Sequence, residues 1–201
     1  MDTDNVGVFM DRDGTVSKEI GYVNHAARYE LLPRTASAIK LLNENGIKAF
    51  LATNQAGVAR GYFPEERIHE VHEKLERLLE DDGAYLDAIY YCKHHPEVGE
   101  GEYCKDCDCR KPKPGMLEEG AEEFDLNLEE SYMIGDKISD VETAKRVGAK
   151  GILVLTGYGR GVYEYEQDSW TVTPEYIAED LYDAVEWILD DLNKDIEITT
   201  S

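Results

Sequence analysis

The chain alternates between short apolar runs and longer amphipathic segments. The apolar runs lack a two-residue alternation, which is typical of strands buried on both faces of a parallel sheet. The amphipathic segments carry apolar residues at helical spacing, and several of them end at a glycine, which terminates helices well. The pattern predicts strands at 6–10, 47–53, 87–93, 131–135 and 150–156, a short sixth strand near 176–178, and helices at 34–45, 64–83, 114–125, 138–148 and 180–192.

Strands that alternate with helices imply one mainly parallel sheet with helices on both faces. We therefore expect an α/β fold, a Rossmann-like three-layer αβα sandwich, formed as a single domain by residues 1–201. The last segment, about residues 193–201, is mostly polar and is expected to fray.

Composition places the chain among folded proteins. Its hydrophobic fraction of 42% is sufficient for a packed core, so disorder is not expected. The N-terminal residues show no basic leader with an apolar core, and no apolar run approaches the length of a membrane span. We expect a cytoplasmic monomer with no membrane partner.

The formal net charge is −22, and most of this excess is expected to be solvated surface. Such a charge argues against a nucleic-acid partner, because phosphate backbones bind surfaces rich in Lys and Arg. An anionic substrate would therefore need a local group of basic residues within an acidic field.

Polar residues follow the first two predicted strands. The segment VFMDRDGTV ends an apolar run with Asp11 and Asp13, and LATNQAG places Thr53, Asn54 and Gln55 after the second run. Ligands of open parallel sheets bind beyond the carboxyl ends of the strands, so these side chains are candidates for one site. The two carboxylates suit a divalent cation and the neutral donors suit an oxyanion, whereas the alternative is a pair of ordinary polar turns.

Charged residues follow the third and fourth predicted strands. The segment CRKPKPG supplies Arg110, Lys111 and Lys113, three cations within four residues of an acidic chain. A basic cluster is usually a solvated face, but this one also suits phosphate binding. The segment MIGDKISD places Asp136 and Asp140 at a strand-to-helix turn, where an aspartate often serves as a helix N-cap.

Four cysteines lie between residues 92 and 109. In a reducing compartment such clustering favours a metal site over a disulfide framework. Thiolates and imidazoles are typical ligands of a closed, tetrahedral zinc site. The segment offers six donors for the four positions of such a site: Cys92, His94, His95, Cys104, Cys107 and Cys109.

The order of these motifs resembles the haloacid dehalogenase superfamily of aspartate-nucleophile phosphatases. DxDGT, a threonine, a lysine and GDxxxD each follow their own predicted strand, and the resemblance extends to about Gly161. The cysteine segment, with YYC-x-HHP and CDCRKP-x-PGM, is similar to a zinc-containing subgroup that acts on sugar bisphosphates or amino-alcohol phosphates.

The resemblance implies a Mg²⁺-dependent phosphomonoesterase that forms an aspartyl-phosphate intermediate. It implies that Asp11 is the nucleophile, that Asp13 transfers protons, and that Thr53 and Lys111 stabilise the phosphoryl oxygens. The implied ligands of Mg²⁺ are Asp11, Asp136 and the backbone carbonyl of Asp13.

The resemblance also implies a set of residues that bind a small, anionic, phosphorylated substrate. These residues are Glu19, Ile20, Gly21, Tyr22, Asn54, Gln55, Arg110 and Lys137. The implied zinc ligands are Cys92, His94, Cys107 and Cys109, which leaves Cys104 and His95 spare. Four protein ligands leave no open position for water, so zinc is expected to pin the loop at about 92–109 without a catalytic role.

The spacing of the motifs leaves no insertion large enough for a separate cap domain, so an open pocket is expected. One other enzyme class is a phosphatase acting on the 3′-phosphate ends of nucleic acids, which the net charge of −22 disfavours. A zinc-containing binding protein without catalysis is a third class. It is disfavoured because the residues implied for phosphoryl transfer are all present.

Overall fold

The structure is a computed structural model that describes residues 5–199, with side chains described through residue 194. In this part of the chain six strands alternate with six α-helices. The strands are β1 (Gly7–Met10), β2 (Lys48–Asn54), β3 (Ala88–Cys92), β4 (Tyr132–Gly135), β5 (Lys150–Val154) and β6 (Tyr176–Ala178). The helices are α1 (Thr35–Glu44), α2 (Glu66–Glu80), α3 (Gly115–Phe124), α4 (Ile138–Arg146), α5 (Gly159–Tyr165) and α6 (Leu181–Thr199).

The six strands form one sheet in the order β3-β2-β1-β4-β5-β6, and every neighbouring pair is parallel. Met10, the last residue of β1, pairs with Leu51 of β2 on one side and with Ile134 of β4 on the other. The strand order therefore reverses beside β1. A crevice forms at such a switch point, beyond the carboxyl ends of the strands, and here it follows directly after Met10.

Helices cover both faces of the sheet, which confirms the expected three-layer αβα architecture. Val8 and Met10 of β1 pack into an apolar cluster with α1, α2 and α6, whereas Phe9 packs into a second cluster with α3 and α4. All four residues of β1 are buried. Because both faces of the strand meet apolar layers, its sequence shows no alternation of apolar and polar residues.

Helix α5 is absent from the elements that the hydrophobic pattern predicts. Its sequence GRGVYEY contains two glycines, and only Gly159 and Val162 are buried. A helix of seven residues with so few core contacts leaves little periodicity to recognise.

Helix α6 runs to Thr199, beyond its predicted end and into the segment expected to fray. Residues 200 and 201 of that segment lie outside the described residues. None of the helices in residues 5–199 combines the length and the apolar composition that crossing a bilayer requires.

Candidate active site

The chain turns sharply after β1 and brings Asp11 and Asp13 to the edge of the sheet. The backbone N–H of Asp11 donates to the Ile134 carbonyl of β4 at 2.9 Å, which extends the strand pairing by one residue. Gly14 then adopts a φ of +94°, and its N–H donates to the Ser17 carbonyl at 2.7 Å. Side-chain-bearing residues rarely adopt this φ, so Gly14 permits the turn that leaves both aspartates facing one cavity.

A cavity of about 300 Å³ opens at this edge of the sheet. Its walls come from the segments that follow strands β1 to β5, as expected from the convergence of parallel strand ends. The lining residues are Asp11, Asp13, Glu19, Gly21, Tyr22, Thr53, Asn54, Gln55, Lys111, Lys137, Ser139, Asp140 and Tyr158.

Two residues predicted to bind substrate lie outside this lining. Ile20 packs against the main hydrophobic core, and Arg110 donates from Nη1 to the His94 carbonyl at 3.2 Å. Tyr158, by contrast, lines the cavity although no sequence motif marks it. The one sequence feature that could have indicated Tyr158 is its position just after a predicted parallel strand, β5. The carboxyl end of β5 lies at the same edge of the sheet as the site.

Lys111 is buried between two carboxylates. Its Nζ lies 2.7 Å from Asp11 Oδ1 and 2.6 Å from Asp140 Oδ1. Burial disfavours the charged ammonium, but the charges of Asp11 and Asp140 outweigh burial and raise the pKa of Lys111 above its ordinary value. Lys111 therefore stays charged and presents a fixed cation beside Asp11.

The side chain of Asn54 is engaged with the backbone of Lys111. Asn54 Nδ2 donates to the Lys111 carbonyl at 3.1 Å, and Oδ1 accepts from the Lys111 N–H at 3.1 Å. This reciprocal pair ties the loop after β3 to the end of β2. The predicted role of Asn54 in substrate binding is thus joined by an observed role, which is to hold Lys111 in place.

Thr53 and Asp13 share one amide partner. Gln55 Nε2 donates to Thr53 Oγ1 at 2.9 Å and to Asp13 Oδ2 at 3.0 Å. Since the Thr53 hydroxyl accepts from Gln55, its own proton remains available to a ligand in the cavity.

Asp136 is fully buried, and one of its oxygens lacks a hydrogen-bond partner. Oδ2 accepts from the backbone N–H of Tyr158 at 2.9 Å, whereas Oδ1 has only an ionic contact of 3.4 Å with Lys137 Nζ. A Cβ on Gly14 would lie 2.1 Å from Oδ2, and one on Gly157 would lie 2.2 Å from it. Glycine at both positions therefore makes room for the carboxylate.

Asp11, Asp136 and Asp140 each place a carboxylate oxygen within 4.8 Å of the others. Burial and the charge of Asp11 raise the pKa of Asp136 to about 7. A divalent cation would relieve this repulsion, and carboxylate oxygens are ligands that Mg²⁺ prefers. The unpartnered Oδ1 of Asp136 fits such an ion, whereas both oxygens of Asp140 are occupied, one by Lys111 Nζ and one by the Lys137 N–H.

Lys137 lies in the cavity wall beside acidic and aromatic groups. Its Nζ is 3.9 Å from Glu19 Oε2 and 4.7 Å from the ring centre of Tyr158. Burial opposes its charge, but Asp136 and Asp11 outweigh burial and raise the pKa of Lys137. The wall therefore offers a second cation that is charged across the physiological pH range.

Cys92, His94, Cys107 and Cys109 form a second cluster whose ligand atoms lie within 4.8 Å of one another. The Sγ atom of Cys107 is 3.4 Å from that of Cys92 and 3.2 Å from that of Cys109. Nδ1 of His94 lies 3.5 Å from Cys109 Sγ, and all four thiols of the chain are free. Three thiols and one imidazole at such separations fit a closed zinc site.

The two spare donors of the segment lie outside this cluster. Cys104 is exposed, with its Sγ 3.9 Å from the Pro96 carbonyl. His95 Nε2 is 3.1 Å from Arg60 Nη2. The four residues that the structure brings together are the four that the resemblance implied.

We expect Cys107→Ser to remove most of the bound zinc, because its Sγ contacts both other thiols of the cluster. Cys104→Ser, the matched control, should keep a near-stoichiometric zinc content. Elemental analysis of the two purified variants measures this difference. Equal zinc contents in both variants would rule out the proposed ligand set.

The fold and the carboxylate–lysine site define a HAD-like hydrolase, and residues 108–184 match the HAD-hydrolase-like family model. The chain is 43% identical over 187 residues to D-glycero-D-manno-heptose-1,7-bisphosphate 7-phosphatase of Thermosynechococcus vestitus, which covers 90% of this chain and 94% of that protein. It is 44% identical over 151 residues to D-glycero-beta-D-manno-heptose-1,7-bisphosphate 7-phosphatase of Pasteurella multocida, which covers 75% of this chain and 82% of that protein.

A solved structure supports the same relationship. The D,D-heptose 1,7-bisphosphate phosphatase from B. bronchiseptica, complexed with magnesium and phosphate, matches with a TM-score of 0.80 and 32% identity. The match covers 92% of this chain and 99% of that chain. The chain therefore belongs to the HAD-like hydrolase family, in the subgroup that these heptose-bisphosphate phosphatases form.

Proposed function

We propose that the protein is a Mg²⁺-dependent phosphomonoesterase that removes the 7-phosphate of D-glycero-D-manno-heptose 1,7-bisphosphate. The observation that carries the proposal is the buried Asp11 carboxylate, held 2.7 Å from Lys111 Nζ in a cavity lined by cations and neutral donors. The names of the relatives support this choice of substrate.

In the proposed reaction Asp11 attacks phosphorus. A bond forms between a carboxylate oxygen and phosphorus while the bond from phosphorus to the sugar oxygen breaks, which yields an aspartyl-phosphate. Lys111 and the Thr53 hydroxyl donate to the phosphoryl oxygens as their charge redistributes. Because Asn54 and Gln55 already hold these two donors, the site needs little reorganisation when substrate binds.

Asp13 is the proposed proton-transfer group. It gives a proton to the departing sugar oxygen and later accepts one from the water that hydrolyses the aspartyl-phosphate. Its side chain lines the cavity and remains 14% exposed, so a leaving oxygen and a water can both reach it.

The remainder of the substrate is proposed to contact the cavity wall. Glu19 and Tyr22 offer polar partners for sugar hydroxyls, and Lys137 offers a cation for a phosphate. Arg110 follows Cys109 and precedes Lys111, and we assign it to the part of the substrate that lies beyond the cavity lining.

Mg²⁺ would be held by Asp11, Asp136 and the backbone carbonyl of Asp13, a donor set that the unpartnered Oδ1 of Asp136 supports. When bound, it supplies positive charge that offsets the negative charge of the carboxylates and the phosphoryl oxygens. We assign Asp140 to holding Lys111 and to accepting the Lys137 N–H at the start of α4.

Zn²⁺ would be held by Cys92, His94, Cys107 and Cys109. Four protein ligands leave no open position for water, so its proposed role is structural. The loop at 92–109 leads directly into Arg110 and Lys111, and loosely held cations stabilise a reacting phosphoryl group poorly. Free thiols as zinc ligands suit the reducing conditions of a cytoplasm.

A comparison of kcat/KM for two substrates tests the proposal. We expect a preference of about tenfold or more for heptose 1,7-bisphosphate over histidinol phosphate, because its second phosphate can contact cations that the transferred group does not use. The matched control is heptose 1-phosphate, which lacks the 7-phosphate and should not be hydrolysed. A clear preference for histidinol phosphate would reverse the assignment.

A further inference from the structure

Arg12 stands between the two aspartates but does not line the cavity. The side chains of Asp11 and Asp13 line the cavity, whereas Arg12 lies in the turn between them and is only 1% exposed. It is the largest fully buried side chain of the described chain. A buried guanidinium destabilises the fold unless it is paired and hydrogen-bonded. The partners of Arg12 therefore indicate its role.

The Arg12 guanidinium donates two parallel hydrogen bonds to the Asp13 carboxylate. Arg12 Nε donates to Asp13 Oδ1 at 3.1 Å, and Nη2 donates to Asp13 Oδ2 at 2.7 Å. Nη2 also donates to Gln55 Oε1 at 2.8 Å, while Gln55 Nε2 donates to Asp13 Oδ2 at 3.0 Å. Arg12, Asp13 and Gln55 thus form a closed ring of contacts in which each member fixes the other two.

The groups on the other side of Arg12 carry no negative charge. His72 Nε2 lies 3.4 Å from Arg12 Nη1, and burial together with the Arg12 charge lowers the pKa of His72 to about 3. His72 is therefore neutral and can accept from the guanidinium. The Tyr29 ring lies 5.9 Å from the guanidinium carbon, and burial raises the pKa of its hydroxyl. Among the described residues, Asp13 is thus the one carboxylate hydrogen-bonded to Arg12.

The two carboxylate oxygens of Asp13 differ in the hydrogen bonds that they accept. Oδ2 accepts from both Arg12 and Gln55, which uses its two lone-pair directions. Oδ1 accepts from Arg12 at 3.1 Å and has only a long contact of 3.5 Å with the Ser17 hydroxyl. Oδ1 is therefore the oxygen with room for a transferred proton.

We propose that Arg12 is a positioning residue that, with Gln55, holds Asp13 so that Oδ1 exchanges protons with the leaving sugar oxygen. This inference rests on the proposed function, because it deepens the role given there to Asp13. In the first step the proton moves from Asp13 Oδ1 to the sugar oxygen as its bond to phosphorus breaks. The carboxylate that results stays paired with Arg12.

The test compares two phosphate esters that differ in their need for a proton. An alkyl sugar phosphate has a poor leaving group and needs protonation, whereas p-nitrophenyl phosphate has a good leaving group and needs little. We expect Arg12→Lys, which keeps the charge but loses the fork geometry, to lower kcat/KM for the sugar phosphate by about 10- to 100-fold. For p-nitrophenyl phosphate kcat/KM should fall by no more than about threefold.

Arg34→Lys is the matched control, because Arg34 also forms an arginine–aspartate pair, with Asp180 at 2.9 Å, outside the cavity. It should change neither kcat/KM value. A second variant, Gln55→Met, removes the other donor to Asp13 Oδ2 and leaves Arg12 in place. It also releases the Thr53 hydroxyl, so we expect a loss on both esters and a further loss, smaller than that of Arg12→Lys, on the sugar phosphate alone. That difference between the two esters carries the test if Arg12→Lys does not fold.

Equal losses on the two esters, or no loss on either, in a folded variant would overturn the positioning role. Failure of the proposed function looks different, because it appears in the wild-type protein as an absence of heptose bisphosphate hydrolysis. If the wild-type protein hydrolyses another alkyl phosphate, that ester replaces the heptose substrate and the comparison of leaving groups still decides the role of Arg12.

Discussion

We expect replacement of Asp11 with asparagine to lower kcat by about 10⁴-fold or more, because the amide keeps the shape of the carboxylate but cannot form the acyl phosphate. The fold should survive, since Lys111 keeps Asp140 as a charged partner at 2.6 Å. Steady-state phosphate release by equal amounts of folded wild-type and variant protein measures the loss.

The covalent step can be observed separately. Wild-type protein quenched in acid during turnover should carry one phosphoryl group on the peptide that contains Asp11, and the Asp11→Asn protein should carry none. Asp106→Asn serves as the control, because the Asp106 carboxylate is 75% exposed and pairs with Lys113. An Asp11→Asn protein that retains even a tenth of wild-type kcat would contradict the assignment of the nucleophile.

Replacing Lys111 with methionine should damage both activity and stability. The variant loses a donor to the phosphoryl oxygens, and we expect kcat to fall by about 10³-fold. It also leaves Asp11 and Asp140 buried without their shared cation, which should lower the free energy of unfolding by about 3 kcal/mol. Denaturant titration in the presence of a metal chelator measures the second effect without stabilisation by a divalent ion.

The direction of the Lys111 pKa shift determines the pH at which the denaturant titration should be run. The pKa of Lys111 is raised in the folded protein, so its contribution to stability is fully present below the ordinary lysine pKa of about 10.4 and declines as pH rises through the folded value. Near pH 7.5 the full effect should be seen. Lys113→Met is the control, since Lys113 pairs with the exposed Asp106, and an equal loss of stability there would contradict the role of burial.

The strands of the sheet and the position of the site could be predicted from the sequence for one physical reason. Each central strand is buried on both faces, so its sequence is an uninterrupted apolar run, and parallel strands place their carboxyl ends at one edge. Asp11, Thr53 and Lys111 follow three such runs, and the structure brings all three into one cavity.

Other features of the site arise from tertiary contacts that no local pattern encodes. Asp140 was predicted only as a candidate helix cap or as part of a motif, whereas the structure also pairs it with Lys111, 29 positions earlier in the chain. Tyr158 enters the cavity from a segment with weak periodicity, and Ile20 turns into the core although its neighbours Glu19 and Gly21 line the cavity.

The aspartates that follow β1 are a further example of what the sequence alone does not show. The sequence places Asp11 and Asp13 two residues apart, but it does not show what holds each of them. In the structure Lys111 holds Asp11, while Arg12 and Gln55 hold Asp13. Different partners suit different tasks, which are nucleophilic attack for Asp11 and proton transfer for Asp13.

Phosphorus NMR of the wild-type protein with D-glycero-D-manno-heptose 1,7-bisphosphate and Mg²⁺ tests the proposed function most directly. The signal of the 7-phosphate should disappear as one equivalent of inorganic phosphate forms, while the signal of the 1-phosphate remains. Loss of the 1-phosphate, or no release of phosphate from a folded, metal-loaded protein, would contradict the proposed function.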